Sequence, residues 1–380
     1  MGLLPYVPLL LAGSYALWQA YNYYFWRRAT RQTFPETDTL PSIAVVVPFR
    51  DEVDTLPYLL ASLALQDYPA DRYEVILVDD HSSDGGGDAG RWSWGETQHV
   101  APIRVLRLAD HVDGETTVAH KKAALALGIA HSSADLIVTT DADCTWPRGG
   151  LRQLARGYAT GADVLLGPVT VEPATDLCAA FQGLDFLGYQ LFTAATVAAG
   201  TPALANGAHF AFRRTAFERV GGYAGVDHLP SGDDVLLLHK FMAAGMRVAC
   251  STAPAAVVTT RPEIDWPALW RQRLRWAGKA GEYGSPVLQL AQGLAYLTSL
   301  GIVAGLLIGL LRDDFFTWAV LAWGMKALVD YTLLRDVARH YGQEGLLKWY
   351  GAVQLVYPFY LVAVGTAALL GMKAAWKGRL

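Results

Sequence analysis

The chain is apolar at both ends and changes to a different pattern in between. Residues 3–26 carry no formal charge and close on Tyr23, Tyr24, Phe25 and Trp26, directly before Arg27 and Arg28. A run of that length can cross a bilayer as a helix with its aromatics at the interface, and the following arginines keep the next residues on the cytosolic side. The basic residues follow the apolar run, the reverse of a cleaved leader, so 1–28 is expected to be a retained transmembrane anchor. From Pro41 to about Arg261, short β-branched runs alternate with helical stretches: Ile43–Val47, Val75–Val78, Ile103–Leu106, Leu136–Val138 and Val164–Leu166. Near-continuous apolar strands between helices predict an α/β domain over 41–261, its parallel sheet covered on both faces. Ligands in such sheets sit beyond the carboxyl ends of the strands.

Past Arg261 the pattern changes again. The stretch Trp266–Trp276 mixes aromatic anchors with cations and suits a helix lying on the membrane surface, within 262–284. Over 285–380, Pro286–Leu311, Phe315 to about Leu334, and Trp349–Met372 form about three further apolar segments. An anchor plus three simple spans leaves Lys373, Lys377 and Arg379 outside, against the positive-inside tendency. Lys326 and Asp330, four residues apart, fit a re-entrant or bundle-packed middle segment, or a structural ion pair that neutralises its own burial.

Composition supports the membrane reading: 52% of residues are hydrophobic and 17% charged, with a mean hydropathy of +0.22, too apolar for an ordinary soluble chain. A net charge of −4 without a basic run gives nucleic acid no electrostatic footprint. Cys144, Cys178 and Cys250 are scattered, with neither CxxC nor Cys/His spacing, so no zinc site or disulfide framework is expected. That fits a reducing, cytosolic catalytic region.

Candidate chemistry gathers where strands end. Val78 runs into Asp79–Asp80 and then His81-Ser-Ser-Asp-Gly-Gly-Gly, where glycines let backbone approach a ligand. Val138 runs through Thr139–Thr140 into Asp141-Ala142-Asp143. Carboxylates at such strand ends can take hydrogen bonds from a base or ribose, and a DxD pair is an adequate oxygen set for Mg2+ or Mn2+. By itself, a DxD is also an acidic turn on a soluble face. Pro48-Phe49-Arg50-Asp51-Glu52 ends the first strand, as a ligand-binding turn or as a Pro-set turn before a helix. Lys121 opens a helical stretch and offers an ammonium to a diphosphate or to solvent. Ser231-Gly-Asp233-Asp234 reads as a capping-box-like helix start with Ser231 at N-cap. A carboxylate held at that start is equally placed to act as a general base. Gln272-Arg273-Leu274-Arg275-Trp276 sets Gln272 and Arg275 on one helical face, with Trp276 as a stacking surface or an interfacial anchor. Phe181, Phe186, Tyr189 and Phe192, in the stretch 171–205, line an acceptor groove or simply pack.

In this order and spacing the motifs resemble family 2 glycosyltransferases of the GT-A fold, an α/β, Rossmann-like nucleotide-sugar-binding sheet. The resemblance points especially to membrane-bound members related to cellulose and hyaluronan synthases and ceramide glucosyltransferases. It covers roughly Pro41 to Trp276 and rests on Val47–Glu52, Val78–Asp80 with Ser82, Lys121, Asp141–Asp143, Asn206–Gly207 leading to Arg213–Arg214, Gly232–Asp234, and Gln272–Trp276. The resemblance implies that Pro48, Glu52, Asp79 and Asp80 lie near the nucleoside and Lys121 near the diphosphate. Asp143 is then a metal ligand, and Asp141 contacts nucleotide or metal. Asp234, with Asp233 beside it, is similar to the family's base. Asn206, Gly207, Gln272, Arg273, Arg275 and Trp276 fall at the acceptor and diphosphate end. Two departures stand out: Asp233 where Glu is usual, and His120 where Gly often precedes the lysine.

The implied reaction is an inverting, single in-line displacement. It moves a sugar from a nucleotide sugar, by default a UDP-sugar, to a lipid, lipid-linked or glycan acceptor at the plasma (inner) membrane among membrane lipids, with the catalytic domain cytosolic. A processive polysaccharide synthase of the same family is the alternative, though few spans speak against a secretion channel. A silent nucleotide-sugar-binding membrane protein is another, disfavoured by the intact acidic set.

Overall fold

The computed structural model describes residues 3–92, 101–112 and 118–372. These fall into two compact units, one of residues 29–170 and 202–261, the other of residues 1–28, 171–201 and 262–380. The stretch 171–201, inside the expected α/β span, thus belongs to the second unit.

The first unit is built on strands β1 (Ile43–Phe49), β2 (Tyr73–Asp79), β3 (Ile103–Arg107), β4 (Leu136–Thr139), β5 (Cys144–Thr145), β6 (Val164–Leu166), β7 (Val169–Val171), β8 (Phe210–Arg213), β9 (Val248–Cys250) and β10 (Val258–Thr260). Seven form the main sheet in the order β3-β2-β1-β4-β8-β6-β9. All five sequence-expected strands are present. The block β3-β2-β1-β4 is parallel, and its centre, Ile43–Val47 and Val75–Val78, is wholly buried, as double-sided cover requires. β8 runs antiparallel to both β4 and β6, so the sheet is mixed. The chain enters β8 at the carboxyl end of β4, where the hydroxyls of Thr139 and Thr140 donate to the carbonyls of Gly207 and Ala208 at 3.0 and 2.9 Å, and from there it can only run backwards. A second sheet, β5-β10-β7, sets Thr260 opposite Cys144.

Pro48 cannot donate to a ladder, yet β1 is a central strand. Its pairing with β4 stops at Val46–Thr139, so on that side Pro48 lies past the last rung. The helix His120–Ala130 covers β1 and β2 closely because Gly128 carries no side chain: a Cβ there would sit 2.5 Å from Val46 Cγ1 and 3.1 Å from Val78 Cγ2. That approach fixes the height at which His120 and Lys121 emerge beside the strand ends.

The second unit holds helices Val7–Ala29, Leu177–Ala198, Trp266–Ala277, Pro286–Gly309, Asp313–His340 and Tyr350–Leu369. Two helical stretches, Pro286–Gly309 and Glu344–Leu369, are long and apolar enough to cross a membrane, with mean hydropathies of 1.7 and 1.6. The expected anchor and the expected middle segment are both helical, but neither reaches that apolarity. Lys326 and Asp330 form the ion pair, 2.5 Å apart with Lys326 buried, and Asp330 also accepts from Tyr15 and Gln354. Lys373, Lys377 and Arg379, which the charge rule turned on, lie outside the described residues. Phe181 is fully buried against Trp266, Tyr357 and Tyr360, which is ordinary packing.

Candidate active site

In the α/β unit the loops after β1 and β2 are tied together before any ligand is considered. Asp51, in a left-handed conformation (φ 51), donates its N–H to Ser82 Oγ at 3.0 Å and accepts from Ser83 N at 2.7 Å. Val53 N donates to Asp84 at 2.9 Å. Asp79 ends β2 and accepts from Ser82 N at 3.0 Å, and a Cβ at Gly87 would collide with its carboxylate, so that position must be bare. Asp80 donates its N–H to Phe49 O at the end of β1, 2.8 Å away. Asp79 and Asp80 are therefore tied to the neighbouring loop and strand, and both are buried.

Lys121 draws the next groups together. Its Nζ lies 2.7 Å from Asp141 Oδ1 and 3.4 Å from Asp233 Oδ2. Burial works against its charge, but the carboxylates of Asp141, Asp233 and Asp234 outweigh burial and hold its pKa well above the usual lysine range. One ammonium thus joins the end of β4 to the start of the helix Asp233–Ala243, two stretches about a hundred residues apart in sequence. The neighbouring Lys122, 2% exposed, donates to the carbonyls of Val226 and Leu229 at 2.7 and 2.8 Å and anchors the loop that leads to Asp233.

The capping box does not form. The helix is preceded by Gly232 at φ 73, and no side chain caps it; a left-handed backbone suits glycine, and it carries Ser231 away from the cap position. Asp234 does lie in the first turn. Its Oδ2 accepts from Gly207 N at 2.9 Å and its Oδ1 from Val235 N at 2.7 Å. Burial and then Asp233 raise its pKa to about 6, against the lowering effects of Lys121 and the two backbone donors. Each oxygen keeps a lone pair for a further donor. Gly207 sits among these groups: a Cβ there would be 3.3 Å from Asp233 Oδ2, 3.4 Å from Lys121 Nζ and 3.7 Å from Asp234 Oδ2. Asn206 accepts from Ala208 N at 3.0 Å and so shapes the turn that presents Gly207.

Asp143 accepts from Thr260 Oγ1 at 3.1 Å, across the second sheet. Burial first, then the charges of Asp141 and Glu52, push its pKa up to about 7. Carboxylates crowded this way are poorly compensated, and a hard dication is what relieves them. The donor set therefore fits Mg2+ or Mn2+, which commonly take one or two protein carboxylates and fill the remaining positions with phosphate and water. Glu52, expected near the nucleoside, bears on Asp143. Thr260 and Lys122 were not foreseen; their roles depend on strand pairing and loop return, which leave no local sequence signal.

Gln272, Arg273, Arg275 and Trp276 belong to the other unit, on the helix Trp266–Ala277, whose start Asp265 caps by accepting from Ala268 N at 2.7 Å. Gln272 donates to Glu263 at 2.7 Å. Arg273 is 2% exposed, pairs with Asp185 at 3.0 Å and stacks over Trp276 at 4.4 Å. Arg213 is also structural, lying 3.7 Å over the Tyr158 ring.

The profile of glycosyl transferase family 21 matches residues 6–380. A probable glycosyltransferase, YdaM of Bacillus subtilis, is 27% identical over 63% of this chain and 55% of its own length. A beta-monoglucosyldiacylglycerol synthase of Synechocystis is 25% identical over 62% of this chain and 47% of its own; the chain thus spans about half the length of these curated relatives. Among solved structures, a mannosyltransferase of Pyrobaculum calidifontis, in complex with GDP-Man and Mn2+, superposes with a TM-score of 0.61 at 21% identity over 96% of this chain and 99% of its own, a likeness of fold that agrees with the GT-A expectation. With the family profile running through both units, the chain belongs to glycosyl transferase family 21.

Proposed function

We propose that the protein is an inverting, divalent-metal-dependent glycosyltransferase that moves a sugar from a nucleotide sugar, a UDP-sugar by default, to a lipid or lipid-linked acceptor at the cytosolic face of the membrane. The observation that carries this reading is the meeting of Asp141, Asp233 and Asp234 around Lys121. The two long apolar helices support a lipid acceptor, as does the diacylglycerol-derived product in the name of one relative.

On this reading Asp234 takes the proton of the acceptor hydroxyl as its oxygen forms a bond to the anomeric carbon from the face opposite the leaving group. The bond from that carbon to the diphosphate breaks, and its electron pair leaves on the diphosphate oxygen. Asp233 holds Lys121 where its ammonium can meet the departing charge. Asp79 and Asp80, fixed at the end of β2, face the nucleoside. When bound at Asp141 and Asp143, Mg2+ or Mn2+ supplies charge neutralisation at the diphosphate. Thr260 orients the Asp143 carboxylate by donating its hydroxyl to it.

The test uses the purified full chain in detergent with UDP-sugars and candidate lipids, reading UDP release together with glycolipid formation. Turnover at least 100-fold above that of Asp234→Asn is expected, in line with the contribution of a general base. Equal rates for the two proteins would remove the proposal.

A further inference from the structure

The loop after β2 and the start of the helix His120–Ala130 bring together donors to which the reaction above gives no joint role. Asp80 Oδ1 lies 2.9 Å from His81 Nδ1 and 2.9 Å from His120 Nδ1. One donor atom from each of the three residues lies within 4.8 Å of the other two, and among the described residues no other trio of His, Cys, Asp or Glu converges so closely. The two imidazoles stand edge to face, centroids 5.7 Å apart at 83°, so they address one carboxylate oxygen from separate directions. Asp80 and His120 are 3% and 6% exposed, while the His81 side chain is 26% open.

We propose that Asp80, His81 and His120 form a binding site for a borderline divalent ion, zinc in the first place, separate from the Asp141–Asp143 carboxylates. Two imidazole nitrogens and one carboxylate oxygen are a zinc donor set, whereas Mg2+ and Ca2+ take oxygen alone. Bonds of about 2.0–2.1 Å in a tetrahedral arrangement set donor atoms about 3.4 Å apart. The two 2.9 Å separations therefore need to open by only about half an ångström, which small side-chain rotations provide. A hydrogen-bonded cluster without an ion requires a proton on both Nδ1 atoms, with one oxygen accepting twice. Metal binding instead needs both nitrogens bare, the imidazole proton residing on Nε2. The open side of His81 leaves a fourth position for water. Such an ion staples the strand-end loop to a helix start 40 residues further on.

The experiment takes the full chain without a polyhistidine tag, strips it with chelator, dialyses it against micromolar zinc and measures metal content, with cobalt(II) titration followed by visible absorption as a second reading. About one zinc per chain is expected, with cobalt bands of four-coordinate intensity. His81→Gln and His120→Gln should each weaken binding by more than about 100-fold, beyond what loss of an outer-shell partner costs. Asp143→Asn should retain the zinc. Zinc should also raise the melting temperature of the unmutated chain by a few degrees. An unmutated chain that holds no zinc and gives no cobalt bands overturns the proposal, as do histidine variants that bind like the parent. Metal content is read without turnover, so this result and that of the transferase assay are independent.

Discussion

Replacing Asp234 by Asn keeps the shape of the side chain and removes its capacity to accept a proton. The amide oxygen can still accept from Gly207 N or from Val235 N, which lie 2.9 and 2.7 Å from the present carboxylate oxygens, but the NH2 group then faces the other donor. One lost hydrogen bond costs about 0.5–1.5 kcal/mol, so the fold should survive with a slightly lower melting temperature. The rate should suffer far more. A general base contributes about 10²–10⁴-fold, equivalent to about 2.7–5.4 kcal/mol at about 1.36 kcal/mol per decade. The pH profile provides an internal control. The base is active when ionised, and burial with Asp233 raises the Asp234 pKa to about 6. In the parent protein kcat/KM should therefore climb as pH rises through about 6 and level off above it, and at pH 5 it should stand about tenfold under the plateau. The assay is UDP release from pH 5 to 8 at saturating metal, with circular dichroism melts of both proteins. A variant that keeps more than about a tenth of the parent rate, or a parent profile flat across this range, would show that proton removal is not performed by this carboxylate.

Three further outcomes follow from the same geometry. Burial and then Asp141 and Glu52 push the Asp143 pKa up to about 7, and a dication binds the ionised form; Mn2+ affinity, measured by electron paramagnetic resonance, should rise with pH through about 7 and then flatten. Lys122→Met leaves the carbonyls of Val226 and Leu229 without their buried donor, costing about 1–3 kcal/mol for each unsatisfied group, which a denaturant melt would register as a lowered midpoint. Gly207→Ala places a methyl 3.3 and 3.4 Å from Asp233 Oδ2 and Lys121 Nζ; the contact is tight but not impossible, so turnover should fall by about tenfold or more while the melting temperature changes by less than for Lys122→Met, a split that paired activity and melting measurements resolve.

Much of the candidate site is legible in the sequence because it lies where near-continuous apolar runs stop. Val78 into Asp79–Asp80 and Val138 into Asp141–Asp143 mark the carboxyl ends of β2 and β4, since a strand buried on both faces cannot absorb a charge and must end at one. Asp234 was legible as a first-turn residue for a similar reason, although Ser231 was given a capping role that Gly232, at φ 73, takes from it. β8 has no such signal: Phe-Ala-Phe-Arg has no β-branched residue, and its reversal is set by Thr139 and Thr140 holding Gly207 and Ala208 at the carboxyl end of β4, a tertiary fact. Neither Thr260 on Asp143 nor His120 on Asp80 has a local pattern to betray it, because the contacts cross 117 and 40 residues. Arg273 reads as part of a functional motif by its neighbours in sequence, whereas the helix turns it inward to Asp185.

The charge distribution constrains how donor binding must proceed on the proposed reading. Asp141 and Asp233 share Lys121, Asp234 adds to the same field, and Glu52 and Asp141 act on Asp143, so negative charge exceeds the positive charge that Lys121 brings. A nucleotide diphosphate entering this field alone meets like charge from partly buried carboxylates, where repulsion is screened less than in water. Binding of the donor should then be coupled to a dication, each raising the affinity for the other by the same factor, as linkage requires. Fluorescent UDP-sugar analogues titrated with and without Mn2+ measure that factor, and Mn2+ titrated with and without UDP measures it again from the other side. Asp143→Asn should shrink both together, because it removes part of the repulsion and part of the metal site at once, whereas Asp234→Asn should leave most of the coupling in place while lowering turnover at least about 100-fold. Equal UDP affinity with and without the dication in the parent protein would mean that these carboxylates do not face the diphosphate.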